Sequence, residues 1–268
     1  MTFEILLLLF IFGLLFGSFG GMAVYRIPRE IPLGMKEKTR SFCTKCKSKI
    51  YWFDNIPVFS YIFLGGKCRK CKKEISIVYP LVELLVACSF VYVGWMYLWY
   101  PQTDLATHVG FFSDLYFFWT LVVLTFIDLE FRIIPDRFSI GNWIIAIIIA
   151  LFNWIKFDAP LTDALLGGAL GFGLFFSIGW FYEKLKGIEG LGFGDVKMMG
   201  WLGTWLGVAG LPVLVLTASL SGLLIGIIVM IKEKGNMKTA IPFGPFLALG
   251  AIVVWTLKKL HILLLPIT

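Results

Sequence analysis

Residues 2–25 read TFEILLLLFIFGLLFGSFGGMAVY, and Glu4 is the only charged residue among them. A helix over this stretch would extend for about 36 Å, which exceeds the ~30 Å hydrocarbon thickness of a bilayer. The stretch lacks the basic n-region and the small-residue cleavage site of a secretory signal peptide. It therefore predicts a retained transmembrane helix and not a signal that is removed.

The composition of the whole chain extends this interpretation. Of its 268 residues, 59% are hydrophobic and 15% are charged, and the mean hydropathy is +0.86. A soluble domain of ordinary composition has about 45–50% apolar and about 25% charged residues. One core could not bury such an excess, so the composition excludes a soluble globular enzyme and indicates that a bilayer surrounds most of the chain.

The basic excess of the chain is confined to one polar insert, residues 26–78. The insert holds thirteen Lys and Arg against four Asp and Glu, whereas the rest of the chain is slightly acidic. Seven further apolar runs follow it, over residues 79–100, 111–127, 138–155, 164–182, 195–208, 210–231 and 241–265. The run over 195–208 is short for a span and begins with a charge, so we expect it to line something other than lipid.

The distribution of basic residues predicts the orientation. With the insert on the cytosolic side, twenty Lys and Arg face the cytosol and three face the other side, which is the asymmetry of the positive-inside rule. Both termini are then non-cytosolic. We expect an all-α polytopic membrane protein of about eight transmembrane helices, with a small cytosolic zinc-ribbon-like insert between helices 1 and 2. The expected divisions are 1–25 as helix 1, 26–78 as the insert and 79–268 as a seven-helix membrane domain.

Four cysteines of the insert form two hooks of the same spacing. Cys43 and Cys46 make the first Cys-x2-Cys pair, and Cys68 and Cys71 make the second. Two such hooks in one polar segment favour a zinc ribbon, in which four thiolates hold Zn²⁺ tetrahedrally and leave no open position for a substrate. A structural zinc site is therefore expected. The alternative interpretation is a pair of unrelated or redox-active hooks.

Two acidic residues at the ends of apolar runs are candidates for catalysis. Asp128 ends the third run, and Asp195 opens the sixth. The predicted topology puts both at the cytosolic ends of their helices. Two carboxylates at the same depth can share one proton and hydrolyse an amide without a covalent intermediate. The alternative interpretation is that each is an interfacial charge that faces water.

Glycines and histidines refine these alternatives. Gly192 and Gly194 precede Asp195, and their missing side chains would let an extended substrate backbone approach that carboxylate. The two histidines, His108 and His261, fall on the non-cytosolic side of the predicted topology, which disfavours Ser-His-Asp and Cys-His chemistry. Near the first helix, glycines at 13, 17 and 21 fit the close packing of small residues between membrane helices.

Glu83 is a further acid in an apolar run. It lies one turn into the second predicted helix, after Tyr79-Pro80. A buried carboxylate at this position needs a partner, which the sequence does not identify.

Several ordered motifs resemble those of the type IV prepilin leader peptidases and together cover nearly the whole chain. They are Gly17-Ser18-Phe19 with Tyr25-Arg26-Ile27-Pro28, the two cysteine hooks around Asp54-Asn55-Ile56-Pro57-Val58, Tyr79-Pro80-Leu81-Val82-Glu83, Ile127-Asp128 through Ile134-Pro135-Asp136, Gly192-Phe193-Gly194-Asp195, and Pro242-Phe243-Gly244-Pro245-Phe246.

The resemblance implies an aspartyl protease of the GxGD group in the bacterial inner membrane, with Asp128 and Asp195 as the catalytic pair at the cytosolic face. The residues expected to support the catalytic loops are Pro135, Asp136, Gly192, Gly194 and Lys197. The implied substrate is a prepilin or pseudopilin of a type IV pilus or type II secretion system, cut before its hydrophobic helix. No nucleic-acid partner is expected.

The resemblance also implies a second activity, methylation of the new N-terminal amine with S-adenosylmethionine, whose binding residues are unknown. One departure concerns this activity, because Gly20-Gly21 stand where the family usually has Leu-Asn. The alternatives are a peptidase without methyltransferase activity, a transporter that uses buried acids, and a zinc-stabilised scaffold without chemistry.

Overall fold

The structure is a computed structural model that describes residues 2–33, 41–99, 104–188, 190–232 and 241–262. Within these residues the chain forms nine α-helices, and the pairing between strands is limited to two isolated bridges, Phe42 with Lys49 and Lys67 with Glu74. The helices are α1 (Thr2–Arg26), α2 (Phe59–Phe63), α3 (Val78–Leu98), α4 (Leu105–Phe131), α5 (Asp136–Phe157), α6 (Leu161–Lys186), α7 (Phe193–Leu206), α8 (Leu211–Lys232) and α9 (Gly244–Lys259).

The all-helical membrane fold is confirmed. Each of the eight predicted apolar runs contains a helix, and among the described residues six helical segments are long and apolar enough to cross a membrane. The shorter helices α7 and α9 have 14 and 16 residues, which fall below the ~20 residues of a full span. As expected for the charged sixth run, most of α7 is buried against protein, from Val196 to Leu206.

The chain divides into two compact units, residues 1–127 and 128–268. In the first unit, α1 packs along α3, and α4 supplies further apolar side chains. A Cβ at Gly13 would lie 2.5 Å from Ala87 Cα, and a Cβ at Gly17 would lie 2.5 Å from Glu83 Cα. Only glycine permits this approach of the two backbones, so the predicted packing of small residues along helix 1 is confirmed.

In the second unit, α7 lies against α5, α6 and α9. Its contact with α6 is also a contact of glycines, because a Cβ at Gly203 would overlap the carbonyl oxygen of Gly167. Trp143 of α5 donates a hydrogen bond of 2.8 Å from its Nε1 to Oγ1 of Thr204 on α7. The central helix α7 is thus held by backbone contact on one side and by an indole on another.

We expect Gly203→Ala to lower the melting temperature of the detergent-solubilised protein, because the added methyl group must separate α6 from α7. Overpacking of this kind costs about 1–3 kcal/mol. The matched control is Gly173→Ala on α6, where nothing lies within 4 Å of the added Cβ. Gly173→Ala should leave the melting temperature unchanged or raise it, since alanine is the better helix former. Equal melting temperatures for the two variants would contradict the glycine contact.

Candidate active site and metal centre

Asp128 lies in the last turn of α4 and is buried, with 5% of its surface exposed. The helix ends three residues later, at Phe131. Arg132 adopts a left-handed conformation with φ of 56°, and its amide donates to the Asp128 carbonyl at 2.8 Å. This left-handed cap closes α4 and turns the chain toward the start of α5.

The carboxylate of Asp128 accepts a hydrogen bond from the first amide of α9. The Gly244 nitrogen lies 2.9 Å from Asp128 Oδ2. A Cβ at Gly244 would lie 2.7 Å from the same oxygen, so a residue with a side chain would press on the carboxylate. Pro245 follows as the second helical residue, where its lack of an N–H costs nothing. The free amides and the dipole at this helix start stabilise negative charge at Asp128 and offset part of the cost of its burial.

The role of Gly244 was missed by sequence reasoning, which quoted the Pro242-Phe243-Gly244-Pro245-Phe246 motif without giving it a role. The signal that could have found it is the proline at the second position of a helix, which marks a helix start. A helix start is a ready site for an anionic group. The sequence does not say which of the acids would occupy it.

Asp195 lies in the first turn of α7, and it is half-buried. A Cβ at Gly192 would lie 3.1 Å from Asp195 Oδ2, so the glycine leaves room for this side chain. A Cβ at Gly194 would lie 2.9 Å from Ile134 Cβ, so the second glycine lets the connection between α4 and α5 approach α7. These contacts give the two glycines a local reason, and the approach of a substrate remains a prediction.

The two aspartates are within electrostatic reach of each other. Burial, together with the negative charge of Asp128, raises the pKa of Asp195 to about 7. Two carboxyl groups that interact in this way titrate as a pair and hold one proton between them at neutral pH. The hydrogen bond from Gly244 stabilises negative charge at Asp128, whereas burial opposes a charge at either acid, so the shared proton belongs to the pair.

Two more of the predicted residues form an ion pair beside this pair of acids. Lys197 Nζ lies 2.6 Å from Asp136 Oδ1, which joins the first turn of α7 to the first turn of α5. Lys197 also lies over the Phe193 ring at 4.7 Å. The lysine is 17% exposed and Asp136 is 66% exposed. Because Asp136 is largely exposed, the pair contributes little to stability, about 0–1 kcal/mol, and it links the starts of the two helices. Pro135 precedes α5 as its N-terminal cap residue.

The four cysteines of the insert converge on one point. Their sulfur atoms all lie within 4.8 Å of one another, and Cys43 Sγ is 3.9 Å from Cys71 Sγ. Four sulfurs at about 2.3 Å from a tetrahedral Zn²⁺ are separated by about 3.8 Å, whereas a disulfide would bring two of them to about 2.05 Å. The arrangement therefore fits a four-coordinate metal ion.

The two hooks have the same backbone conformation. In the first, the Cys43 amide donates to the Ser48 carbonyl and Lys47 donates to the Cys43 carbonyl, each at 2.9 Å. In the second, Cys68 and Lys72 make the equivalent bonds at the same distances, to Lys73 and Cys68. Lys47 and Lys72 both have φ near 60°. Each hook is thus a tight turn that directs its two thiols to one side, as metal-binding knuckles do.

The geometry supports a definite chemistry. A paired, partly buried dyad with one proton can deprotonate a water molecule and donate a proton to the oxyanion of an amide. A metal ion held by all four cysteines would have no position open for a substrate. The two carboxylates are therefore the candidates for catalysis in the second unit.

Comparison with known proteins agrees with this assignment. Residues 11–97 match the family model described as the Bacterial Peptidase A24 N-terminal domain, and residues 115–227 match the Type IV leader peptidase family. No solved structure matches the chain.

The curated relatives cover almost all of the chain. The Prepilin leader peptidase/N-methyltransferase of Aeromonas salmonicida (strain A449) is 33% identical over 269 residues, which are 91% of this chain and 87% of that protein. Proteins of the same name from Pseudomonas putida and Neisseria gonorrhoeae are also 33% identical, over 91% and 92% of this chain and 88% of each relative. With two matching domain models and relatives that cover nine-tenths of its length, the chain belongs to the type IV leader peptidase family.

Proposed function

We propose that this protein is a membrane endopeptidase that removes the leader peptide of a type IV prepilin or pseudopilin, and that it then methylates the new N-terminal amine with S-adenosylmethionine. The observation that carries the peptidase is the Asp128–Asp195 pair, with the Gly244 amide on Asp128. The name that the relatives share, with its two activities, supports both halves of the proposal.

In the proposed mechanism, the two aspartates divide the work of a general base and a general acid. Asp128 is ionised and takes a proton from the attacking water, because Gly244 donates to its carboxylate. Asp195 carries the shared proton and donates it to the carbonyl oxygen of the scissile amide. Lys197 and Asp136 hold the starts of α7 and α5 together, so that both acids keep their orientation while the amide bond breaks.

The proposed location is the bacterial inner membrane, with both termini non-cytosolic and the active site at the cytosolic face. The charge distribution supports this orientation, because the basic insert carries more than half of the 24 Lys and Arg. A prepilin carries a short basic leader that remains in the cytosol, so cleavage at this face needs no translocation of the leader. The partners are then the pilin precursor and the lipid bilayer.

The proposed metal is one structural Zn²⁺ at the four cysteines. It would fix the two hooks against each other, and the salt bridge from Arg69 to Asp54 ties the second hook to the segment between them, at 2.7 Å. A cytosolic location disfavours disulfides at the same positions.

We expect Asp128→Asn and Asp195→Asn each to lower the rate of leader cleavage by about 10²–10⁴-fold, because each removes a general acid or base. The measurement is intact-mass analysis of a prepilin after incubation with purified protein and S-adenosylmethionine. For the unaltered protein, the same spectra should show loss of the leader and the gain of one methyl group.

Asp158→Asn is the matched control for this experiment. Asp158 is exposed at the far end of α5 in a left-handed conformation that asparagine also adopts. The Asp158→Asn variant should cleave the prepilin at the normal rate. Near-normal cleavage by Asp128→Asn or Asp195→Asn would refute the dyad.

The raised pKa of Asp195 predicts the pH dependence. An ordinary aspartate loses its proton near pH 4, whereas Asp195 keeps it to about 7. Cleavage should therefore fall as the pH rises through about 7, since both acids become ionised, and it should fall again in acid as Asp128 is protonated. The measurement is kcat/KM against pH, with the melting temperature followed over the same range. A profile that stays flat between about pH 6 and 9 in a folded protein would contradict the shared proton.

The zinc site predicts about one zinc ion per chain, measured by elemental analysis of purified protein. Cys43→Ser and Cys71→Ser should each release most of the metal, because serine is a poor ligand for Zn²⁺. Cys88→Ser is the control, since Cys88 is exposed on α3 and lies outside the four-cysteine cluster. Full zinc occupancy in the Cys43 or Cys71 variant would overturn the assignment.

A further inference from the structure

A large cavity lies within the first unit, between the end of α1, the cysteine insert and the start of α3. Its volume is about 810 Å³, within the range of roughly 300–1,000 Å³ that holds drug-sized ligands. The residues that line it come from 15–26, 41–75 and 79–83. The dyad does not account for this cavity, because both aspartates belong to the second unit.

Glu83 is the acid that lines this cavity from α3, and it is buried, with 8% of its surface exposed. Its Oε2 accepts a hydrogen bond of 2.7 Å from the Val58 amide. The Ser18 hydroxyl lies close enough to stabilise the carboxylate as well. These are the partners that the sequence did not identify. Neither is a cation, so the carboxylate is held in one orientation without being neutralised by them.

The backbone at Val58 adopts an unfavourable conformation to make this bond. Val58 has φ of 62° and ψ of −51°, which a β-branched residue rarely adopts. Strained residues of this kind persist where the surrounding structure fixes them, and they are concentrated at functional sites. Here the strained residue directs its amide at Glu83.

The walls of the cavity suit a ligand with both positive and negative groups. Tyr79 lines the cavity together with Glu83, and aromatic faces attract organic cations. A Cβ at Gly21 would lie 3.1 Å from Tyr79 Cδ1. Gly21, which belongs to the Gly20-Gly21 pair that departs from the family pattern, therefore leaves room for the Tyr79 ring. Basic residues also line the cavity and can meet a carboxylate of the ligand; they are Arg26, Lys49 and Lys70.

S-adenosylmethionine has this set of groups, namely a sulfonium, an ammonium, a carboxylate and an aromatic base. The residues present therefore fit it. The family models divide at a similar place, since the first covers residues 11–97 and the second, named for the peptidase, begins at 115. The candidate peptidase residues thus lie in the second unit, and the methyltransferase activity in the relatives' name still needs a site.

We propose that Glu83 binds the amino group that leader cleavage exposes and removes its proton, in a cavity that also holds S-adenosylmethionine. The inference rests on the methyltransferase half of the proposed function. The α-ammonium donates one proton to the Glu83 carboxylate and becomes a neutral amine. The amine nitrogen then attacks the methyl carbon, a C–N bond forms, and the C–S bond breaks with its electron pair left on sulfur. The product is a methylated ammonium and a neutral thioether, and Glu83 releases its proton to water.

Glu83→Gln is the variant that tests the role of the carboxylate. Glutamine keeps a carbonyl oxygen for the Val58 amide and the Ser18 hydroxyl. It can neither neutralise the positive charge of an ammonium nor accept its proton. We expect methylation of an already cleaved pilin to fall by about 10²-fold or more. Leader cleavage, zinc content and binding of S-adenosylmethionine by calorimetry should stay within about twofold. Glu183→Gln, exposed near the end of α6, is the control of the same chemistry and should change nothing.

Methylation at the normal rate by Glu83→Gln would overturn the proposal, because Glu83 would then only hold the insert. A parallel loss of cleavage, zinc and methylation would overturn it as well, since that pattern belongs to a structural role.

Photo-crosslinking locates the donor without any variant. Labelled S-adenosylmethionine is irradiated with the unaltered full chain in detergent, and excess unlabelled S-adenosylhomocysteine serves as competitor. The label should enter peptides that contain residues 15–26 or 41–83, and the competitor should suppress it. Competed label confined to residues 128–268, in protein that methylates, would overturn this inference and leave the proposed function standing. Unaltered protein that cleaves but neither methylates nor binds the donor would remove the methyltransferase proposal and this inference together.

Discussion

The hydrogen bond from the Gly244 amide to Asp128 is the interaction on which the second unit depends. A carboxylate at the end of an apolar helix is costly unless donors surround it. The donor here is the first amide of α9, which lies against α7 and α8. Because a side chain at 244 would strike Asp128, this contact brings the start of α9 directly against the acid. The start of α7, which carries Asp195, is then held within reach of the same charge.

The same device recurs at two other acids of the chain. Glu83 accepts from the Val58 amide directly before α2, and Asp163 accepts from the Val208 amide at the start of a short 3₁₀ helix, at 3.1 Å. In each case a backbone donor at a helix start satisfies a carboxylate. An amide differs from a lysine or arginine in that it stabilises the anion without adding a full positive charge. An acid held in this way keeps its ability to accept a proton. Asp163 is different, because it also interacts electrostatically with the positive charge of Lys258. This interaction favours a structural role for Asp163.

Much of this architecture follows from the sequence, because membrane helices and cysteine hooks are local patterns. The apolar runs predicted the helices, and the spacing of Cys43, Cys46, Cys68 and Cys71 predicted their convergence. Even the unusual sixth run was readable, since charge at the start of a short apolar segment argues against contact with lipid. The Gly244 contact was not readable, because residues 128 and 244 are brought together only by the packing of α9. For the same reason the sequence did not reveal that Val58, which belongs to one of the recognised motifs, is the hydrogen-bond partner of Glu83.

The glycines show why motif and mechanism have to be separated. The tetrapeptide Gly192-Phe193-Gly194-Asp195 suggested that both glycines clear a path for substrate. In the structure, however, Gly194 faces Ile134 and Gly192 faces the side chain of Asp195 itself. Gly194 therefore has a reason to be glycine without any substrate, since a methyl group there would push the connection between α4 and α5 away from α7. That connection leads directly from Asp128 to Asp136, whose carboxylate pairs with Lys197. A methyl group at 194 would thus act on both acids through the backbone, and loss of cleavage on its addition would be evidence for dyad geometry, not for a substrate path.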